Sequence, residues 1–294
     1  MEAQLEINYA DDNKPLMTND RPQMSVAGAD PPDWPPLEEV EEILGYSFAD
    51  KRWLEEALTH ASFRRQQEEA AAAAAGTSGG GVSYERLEYM GDCVLNLIVS
   101  REQFFRYPDL MPGDLTRLRA ANVDTEKLAR AALNHGLHRY LRHRKPQLGD
   151  QIEAFVEEIA EYPVHSNGLV NAPKTLADIV ESLIGAVFVD SHCSVDTVWK
   201  VFKRLLEPIV EKETLRVHPV TELYEMCQKR KLRLEFKGSW KQGIDVYVND
   251  QLAGRGNYES KKEIAQNRAA KDALDNLGKI VLLLEDGEDD QIVD

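Results

Sequence analysis

Long apolar runs are missing from this sequence of 294 residues. A helix that crosses a bilayer needs about 20 consecutive apolar residues, and no stretch of that kind occurs, so we expect no membrane association. The first residues lack a basic start followed by an apolar segment, which argues against a secretory signal. Cysteine is also scarce, at three widely separated positions. We therefore expect free thiols in a reducing compartment, the nucleus, the cytoplasm or both.

Positive charge is in deficit, and the deficit is uneven. The net charge is −16. Residues 1–36 contain 2 cationic and 7 acidic side chains, and residues 37–210 contain 19 cationic and 27 acidic ones. Residues 280–294 contain 6 acidic side chains and no cationic one. Residues 218–279 carry 12 cationic and 9 acidic residues. Because much of the negative charge lies at the termini, the net charge by itself excludes no class of partner.

One stretch combines acidic and apolar residues at helical spacing. Glu85, Glu88 and Asp92 fall within a sector of roughly 60° at 100° per residue, and Asn96 lies on the same stripe. The intervening residues up to position 99 are mostly apolar. We therefore expect a buried helix whose methionine and aromatic residues belong to the core. A carboxylate stripe on a buried helix is costly unless cations or donors meet it.

A second stretch has the same character. It begins at Lys174, and Asp178 and Glu181 share one face because they are three residues apart, with Gly185 next on that face. A glycine there allows another helix to approach closely. The two pairs of carboxylates are candidates to form one site, and hard oxygen ligands of this kind suit Mg²⁺ or Mn²⁺.

Blander interpretations of both stretches stay open on the residues alone. The first could be an ordinary solvated helix face, and Asp178 could be the acidic member of a capping box that starts at Thr175.

The rest of the chain suggests two folded parts and three segments without a core. The patterns predict a disordered leader (1–36), a mainly helical part (37–211) and a small α-β-β-β-α part (215–280), followed by an acidic tail (285–294). Within the helical part we expect a low-complexity loop at 66–81, an insertion at 144–172 with one helix at 151–159, and helices at 175–189 and 194–211. In the small part we expect helices at 219–231 and 261–277, strands at 232–236, 244–248 and 251–256, and a turn at Asn249 and Asp250.

The motif from Glu85 to Leu95, Glu-Arg-Leu-Glu-Tyr-Met-Gly-Asp-Cys-Val-Leu, resembles the signature of the ribonuclease III family. The flanking segments at 44–48, 57–62, 115–120 and 176–186 are similar to that family as well. Residues 218–279 resemble a double-stranded RNA-binding domain. The single ribonuclease III unit and the long segment before Ala172 look most like the plant ribonuclease-three-like proteins. The fold class implied is a mainly α nuclease domain followed by a small α+β domain.

The resemblance implies an activity and the residues that carry it. The expected reaction is hydrolysis of double-stranded RNA by a water activated by Mg²⁺ or Mn²⁺, leaving 5′-phosphate and 3′-hydroxyl ends. The family implies a homodimer and no organic cofactor. The expected metal ligands are Glu88, Asp92, Asp178 and Glu181, and the expected supporting residues are Glu85, Lys174, Arg117 and Arg119. Arg117 and Arg119 could equally be ordinary solvent-facing side chains.

The second domain departs from its family at the RNA surface. The candidate RNA contacts are Glu225, Lys261 and Lys262, but Glu263 and Gln266 occupy positions where lysines commonly meet phosphates. The link at 241–243 is short where family members usually carry a minor-groove loop. We therefore expect weak RNA binding by this domain. A protein that binds duplex RNA without cleaving it is the alternative function, and a scaffold that dimerises through this domain is a third.

Overall fold

The computed structural model describes residues 34–64, 83–239 and 241–286, with side chains up to Asn276 in the last range. The leader through residue 33, the low-complexity loop and the tail from residue 287 lie outside the described residues. The predictions for these segments, and the predicted domain boundaries, stay predictions.

The first part of the described chain is helical, as the sequence predicts. Its α-helices are α1 (Glu38–Leu44), α2 (Lys51–Ala57), α3 (Glu85–Arg106), α4 (Pro112–Asn122), α5 (Thr125–Asn134), α6 (Leu148–Ile159), α7 (Lys174–Asp190) and α8 (Val195–Leu205), with a 3₁₀ turn at Leu137–Tyr140. Among the described ranges, no helix has the length and apolar character required to cross a bilayer.

The ends of several helices follow from local sequence. Gly45 ends α1 at a φ of +63°, a conformation that glycine adopts without steric cost. The Asp50 side chain accepts a hydrogen bond from Arg52 N and caps α2. Helix α8 ends at Leu205, earlier than the predicted residue 211. Pro208 explains the difference because proline disfavours helical geometry at the preceding residue and lacks an N–H.

Helices α3 and α7 cross at a pair of glycines. An ideal Cβ at Gly91 would lie 1.7 Å from Glu181 O, and one at Gly185 would lie 2.1 Å from Leu87 O. Only residues without a side chain permit this backbone approach. Helix α7 is buried along almost its whole length. Its last residue, Asp190, accepts hydrogen bonds from Tyr46 OH at 2.7 Å and from two backbone N–H groups at 2.9 Å.

One face of α3 is exposed, so the prediction that its aromatic and methionine residues are core is wrong. Tyr89 is 71% exposed and Leu97 54%, and Met90, Phe104 and Phe105 are exposed as well. The opposite face, including Leu87 and Leu95, packs into the core. The apolar pattern is continuous around the helix, but the rest of the chain covers only one side of it.

The second part has the predicted α-β-β-β-α order. It contains α9 (Pro219–Lys229), β1 (Leu234–Ser239), β2 (Gly243–Val248), β3 (Gln251–Gly256) and α10 (Lys262–Asp286), and its three strands form an antiparallel sheet in sequence order. Asn249 and Asp250 both have positive φ in the turn between β2 and β3. The alanine face of α10 packs on the glycines of β3, since a Cβ at Gly256 would lie 2.2 Å from Ala269 N.

Candidate metal centre

Three of the four predicted carboxylates meet where α3 crosses α7. Glu88, Asp178 and Glu181 each offer an oxygen atom, and these atoms all lie within 4.8 Å of one another. Glu88 is on α3, one turn before Gly91, and the other two are on α7, before Gly185. The close glycine crossing is therefore what brings together acidic groups that are about 90 residues apart in sequence.

Lys174 links the carboxylates of the two helices. Its Nζ lies 2.6 Å from Glu88 Oε1 and 2.6 Å from Asp178 Oδ1. Partial burial acts to lower the pKa of Lys174, but its hydrogen bonds to the two carboxylates outweigh burial and raise it. Lys174 thus stays cationic and offsets part of the negative charge at the site.

Tyr84 holds the other oxygen of Asp178. This buried side chain donates its hydroxyl hydrogen to Asp178 Oδ2 at 3.0 Å. Burial, followed by the charge of Asp178, raises the pKa of Tyr84, so the hydroxyl remains a donor. Tyr84 cannot be recognised from sequence because a tyrosine just before a helix gives no signal of its own. With both oxygens of Asp178 engaged, and no side chain capping α7, the capping-box interpretation of Asp178 is not favoured.

Glu181 lies in an excess of negative charge. Burial raises its pKa to about 7, and the charges of Asp178, Asp92 and Glu88 add to the effect, whereas Lys174 opposes it. One ammonium group therefore does not balance the site. A group of carboxylates with this much uncompensated charge is one that a divalent cation would stabilise.

The fourth predicted ligand, Asp92, lies beside this group and not within it. It is exposed, and Asn96 Nδ2 donates to its Oδ1 at 2.9 Å. Asp92 is close enough to contribute to the raised pKa of Glu181. Glu85, on the same stripe, is exposed and accepts a hydrogen bond from Ser83 Oγ at 3.3 Å. Of the three acidic residues on the stripe, only Glu88 belongs to the carboxylate cluster, and its neighbours Glu85 and Asp92 are exposed to solvent.

The predicted RNA-contact residues lie elsewhere. Arg117 pairs with Asp114 at 2.6 Å and lies 3.8 Å from Glu225 of the second domain. Arg119 lies 3.5 Å from Ser100 Oγ. Lys261 and Lys262 are exposed at the start of α10. None of these residues contacts the three carboxylates, so their expected roles stay predictions.

A cationic segment that belongs to no motif in the sequence contacts the start of α7. Residues 138–145 contain four lysines and arginines and no carboxylate, inside a helical part whose net charge is negative. Lys145 Nζ lies 2.8 Å from Thr175 Oγ1, beside Lys174, and the Arg144 guanidinium lies 5.9 Å from the centre of the Phe63 ring. Burial lowers the pKa of His143, and the charges of His60, Lys145 and Arg144 lower it further. The local excess of positive charge is the signal that could have identified this segment.

A second cluster of possible metal ligands is satisfied internally. Asp124, Glu126 and His165 also offer atoms within 4.8 Å of one another. His165 Nε2 lies 2.9 Å from Asp124 Oδ1, and Glu126 accepts a hydrogen bond from Ser166 N at 2.8 Å and pairs with Arg130. These contacts join α5 to the segment after α6, which is a structural role.

Comparison with known families gives two matches along the chain. Residues 85–192 match the Ribonuclease III domain, and residues 219–277 match the Double-stranded RNA binding motif. The first match contains all four predicted carboxylates and Lys174, and the second contains the three-stranded sheet.

Known proteins are similar to this chain over most of its length. Ribonuclease 3-like protein 3 of Oryza sativa subsp. japonica is 49% identical, over 91% of this chain and 87% of its own length. Ribonuclease 3-like protein 2 of Arabidopsis thaliana is 42% identical over 83% of this chain, which spans 60% of that protein. Endoribonuclease Dicer homolog 1 of Arabidopsis thaliana is 42% identical over 80% of this chain and 12% of its own length. The nuclease domain of ribonuclease III from Campylobacter jejuni superposes with a TM-score of 0.44 at 26% identity, over 59% of this chain and 98% of its own.

Proposed function

Because this chain belongs to the ribonuclease III family, we propose that it is a metal-dependent endoribonuclease that cleaves double-stranded RNA. The single observation that carries the proposal is the meeting of Glu88, Asp178 and Glu181 at the glycine crossing of α3 and α7. The name of one relative, an endoribonuclease, also supports it.

The residues at the crossing fit a hard divalent cation. All three offer carboxylate oxygens, which Mg²⁺ and Mn²⁺ prefer. Burial raises the pKa of Glu181, and the negative charges of Asp178, Asp92 and Glu88 raise it further against the opposing charge of Lys174. Glu88, Asp178 and Glu181 would hold the cation, and Asp92 would complete the set. When bound, the cation would activate the attacking water and stabilise the charge that develops on the phosphate.

The surrounding side chains position the carboxylates and receive the phosphate. Tyr84 fixes one oxygen of Asp178, and Lys174 holds the other beside Glu88. Lys174 is also a fixed positive charge at the site where a negative phosphodiester would arrive. Attack of water on the phosphorus with cleavage of the P–O3′ bond would leave a 5′-phosphate, and the departing 3′ oxygen would take up a proton to give a 3′-hydroxyl.

A homodimer would account for the uncovered face of α3. Tyr89, Leu97, Phe104 and Phe105 are exposed on this helix, and contiguous apolar surface on a folded chain commonly marks an interface. We propose that a second copy covers it. The two carboxylate clusters would then act on the two strands of one duplex.

Duplex binding would be shared between the two domains. The second domain contributes the exposed Lys261 and Lys262, while Glu263 stands where a further phosphate contact would help. Arg144, and Lys145 beside the start of α7, give the nuclease domain its own positive surface. Contacts from the nuclease domain therefore compensate for a weak second domain.

The test replaces Glu181 with Gln, which keeps the size of the side chain and removes one anionic ligand. We expect the purified variant to lose cleavage of a perfect RNA duplex in Mg²⁺, by at least about 100-fold, the scale of removing one key electrostatic group. Binding of the duplex in Ca²⁺ should be nearly unchanged. The matched control is Glu157→Gln, an exposed glutamate on α6, which should cut at the wild-type rate.

Two outcomes would contradict the proposal. Near wild-type cutting by the Glu181→Gln variant would show that the site is assigned wrongly. Tight duplex binding by the wild-type chain without any cutting in Mg²⁺ or Mn²⁺ would favour the alternative function, a protein that sequesters duplex RNA.

A further inference from the structure

The second domain rests on a defined surface of the first. Both belong to one compact unit that starts at Trp34. Arg268 of α10 donates from Nε to Leu169 O at 3.0 Å and from a terminal nitrogen to Glu158 Oε1 at 3.2 Å. Asn267 donates to Gly168 O at 3.2 Å. We call residues 158–170, the end of α6 and the chain after it, the docking segment.

Glu158 and Arg268 belong to a larger polar contact. Tyr258, just after β3, donates from its hydroxyl to Glu158 Oε2 at 3.3 Å. The Arg268 guanidinium also lies 4.6 Å from the centre of the Tyr258 ring, within the range of a cation–π interaction. Arg268 thus has partners on the ring, the carboxylate and a backbone carbonyl, which defines its orientation.

The docking segment is itself held rigidly. The buried carboxylate of Glu126 accepts hydrogen bonds from the backbone N and the side chain of Ser166. Ser166 Oγ in turn accepts from Leu169 N and Val170 N, both at 3.2 Å. The carbonyls that receive Asn267 and Arg268 therefore belong to a surface anchored on α5.

Gly168 makes the fit between the domains close. Its φ is +85°, and an ideal Cβ there would lie 2.6 Å from Asn267 Nδ2 and 2.6 Å from His218 Nδ1. A side chain at residue 168 would displace the Asn267 and His218 side chains, and the positive φ is itself one that glycine favours. The docking segment is thus complementary to α10 in shape, at Gly168, and in charge, at Glu158.

The connection between the domains is pinned near its start. Asn122 donates to Val210 O and accepts from Val210 N, both at 2.8 Å. Arg106 pairs with Glu211 at 2.5 Å. Residues 212–218 remain, a segment that could reach at most about 25 Å if it were released. A short tether gives a high effective concentration, so modest contacts suffice to keep the second domain docked.

Within the described part of the chain, the docking segment contacts none of Lys261, Lys262 and Glu225, although Glu225 lies 3.8 Å from Arg117 elsewhere on the first domain. Lys261 and Lys262 remain exposed while Asn267 and Arg268 are engaged. Glu225 also remains partly exposed beside Arg117. A docked domain can therefore still receive a duplex.

We infer that the docking segment fixes the orientation of the RNA-binding domain, and that Glu158 and Arg268 are positioning residues for cleavage. The effect on cleavage rests on the proposed function, whereas the docking itself does not. A docked domain holds its footprint on the duplex at one distance from the carboxylates. A domain on a free tether would accept many distances, so the cut sites near a duplex end would scatter.

The experiment uses charge reversal in the full-length chain. Glu158→Arg and Arg268→Glu each place like charges together, and the double variant restores an opposite pair. Glu157→Arg is the matched control because this exposed residue adjoins Glu158 on α6. Small-angle X-ray scattering without RNA reports domain separation. Mapping of cut sites on an end-labelled duplex of about 40 base pairs, more than twice the roughly 16 that such a domain spans, reports register.

We expect each single reversal to increase the radius of gyration and to add cuts closer to the duplex ends. The double variant and the Glu157→Arg control should match the wild type in both measurements. Unchanged scattering in the single variants, or failure of the double variant to restore it, would overturn the docking itself. Changed scattering with unchanged cut sites would overturn the positioning role. Faster cutting at the same sites would also overturn it, because it would indicate that the docked domain inhibits cleavage. A wild-type chain that does not cut would refute the proposed function, whereas scattering would still decide whether the domains dock.

Discussion

Replacing Gly91 with Ala should separate the two helices that form the site. The new Cβ would lie 1.7 Å from Glu181 O, and contacts under 3.0 Å are essentially never seen for real Cβ atoms. The backbones of α3 and α7 must therefore move apart by at least about 1.3 Å, the difference between those distances. Because the clash is with backbone, no side-chain rotation can relieve it.

The magnitude combines two opposing effects. Overpacking a well-packed core typically costs about 1–3 kcal/mol, whereas Gly to Ala inside a helix gains about 1 kcal/mol of helix propensity. The difference is about 0–2 kcal/mol, and because the clash is with backbone we expect the upper half of that range, a net loss of about 1–2 kcal/mol in the free energy of unfolding. For a chain of this size that corresponds to a fall in Tm of roughly 2–8 °C.

The same movement should weaken the metal site. Glu88 lies on α3, and Asp178 and Glu181 lie on α7, so the oxygens that now lie within 4.8 Å would spread. We expect Mn²⁺ affinity to fall about tenfold, which corresponds to 1.4 kcal/mol, and cleavage in Mg²⁺ to fall at least as much. Thermal unfolding, Mn²⁺ titration followed by electron paramagnetic resonance, and a duplex cleavage assay measure these quantities.

The matched control is Gly113→Ala in the first turn of α4, where a Cβ would meet nothing within 4 Å. That variant should be at least as stable as the wild type and equally active. A Gly91→Ala variant with wild-type Tm and wild-type Mn²⁺ affinity would refute the argument that the glycine crossing sets the position of the carboxylates.

Three further predictions concern assembly, the cation and RNA affinity. Leu97→Asp, on the exposed face of α3, should give a folded monomer that does not cleave, and sedimentation equilibrium showing an active monomer of the wild-type chain would contradict the dimer. Ca²⁺ should support duplex binding with little cleavage and Mn²⁺ should replace Mg²⁺, because the longer Ca²⁺–oxygen bonds misplace the reacting groups; full activity in EDTA would rule out the metal mechanism. Glu263→Lys should steepen the dependence of log affinity on log salt by about one unit, and Arg144→Glu should make it shallower, since each phosphate contact releases counterions; equal slopes in all three proteins would show that neither residue faces the duplex.

Local sequence determined where helices, strands and turns form and which face of a helix carries the acidic residues. The spacing of Glu85, Glu88 and Asp92 places them on one stripe of a helix, Asp50 caps α2, and Asn249 and Asp250 form the turn that a hairpin requires. These features depend on residues within a few positions of one another. Because the interactions that decide these features are between near neighbours in the chain, residue pattern and propensity are enough to predict them.

Only the tertiary structure decided which of these residues meet. Asp178 accepts a hydrogen bond from Tyr84, 94 residues away. The crossing at Gly91 brings Glu88 into the carboxylate cluster but leaves Asp92 at its edge. The exposed side of α3 could not be predicted because an apolar pattern around a helix does not say which face other helices cover. The contact of Arg268 with Glu158 likewise joins residues 110 positions apart. Such contacts depend on how helices and domains pack against one another, and no local pattern in the sequence encodes that packing.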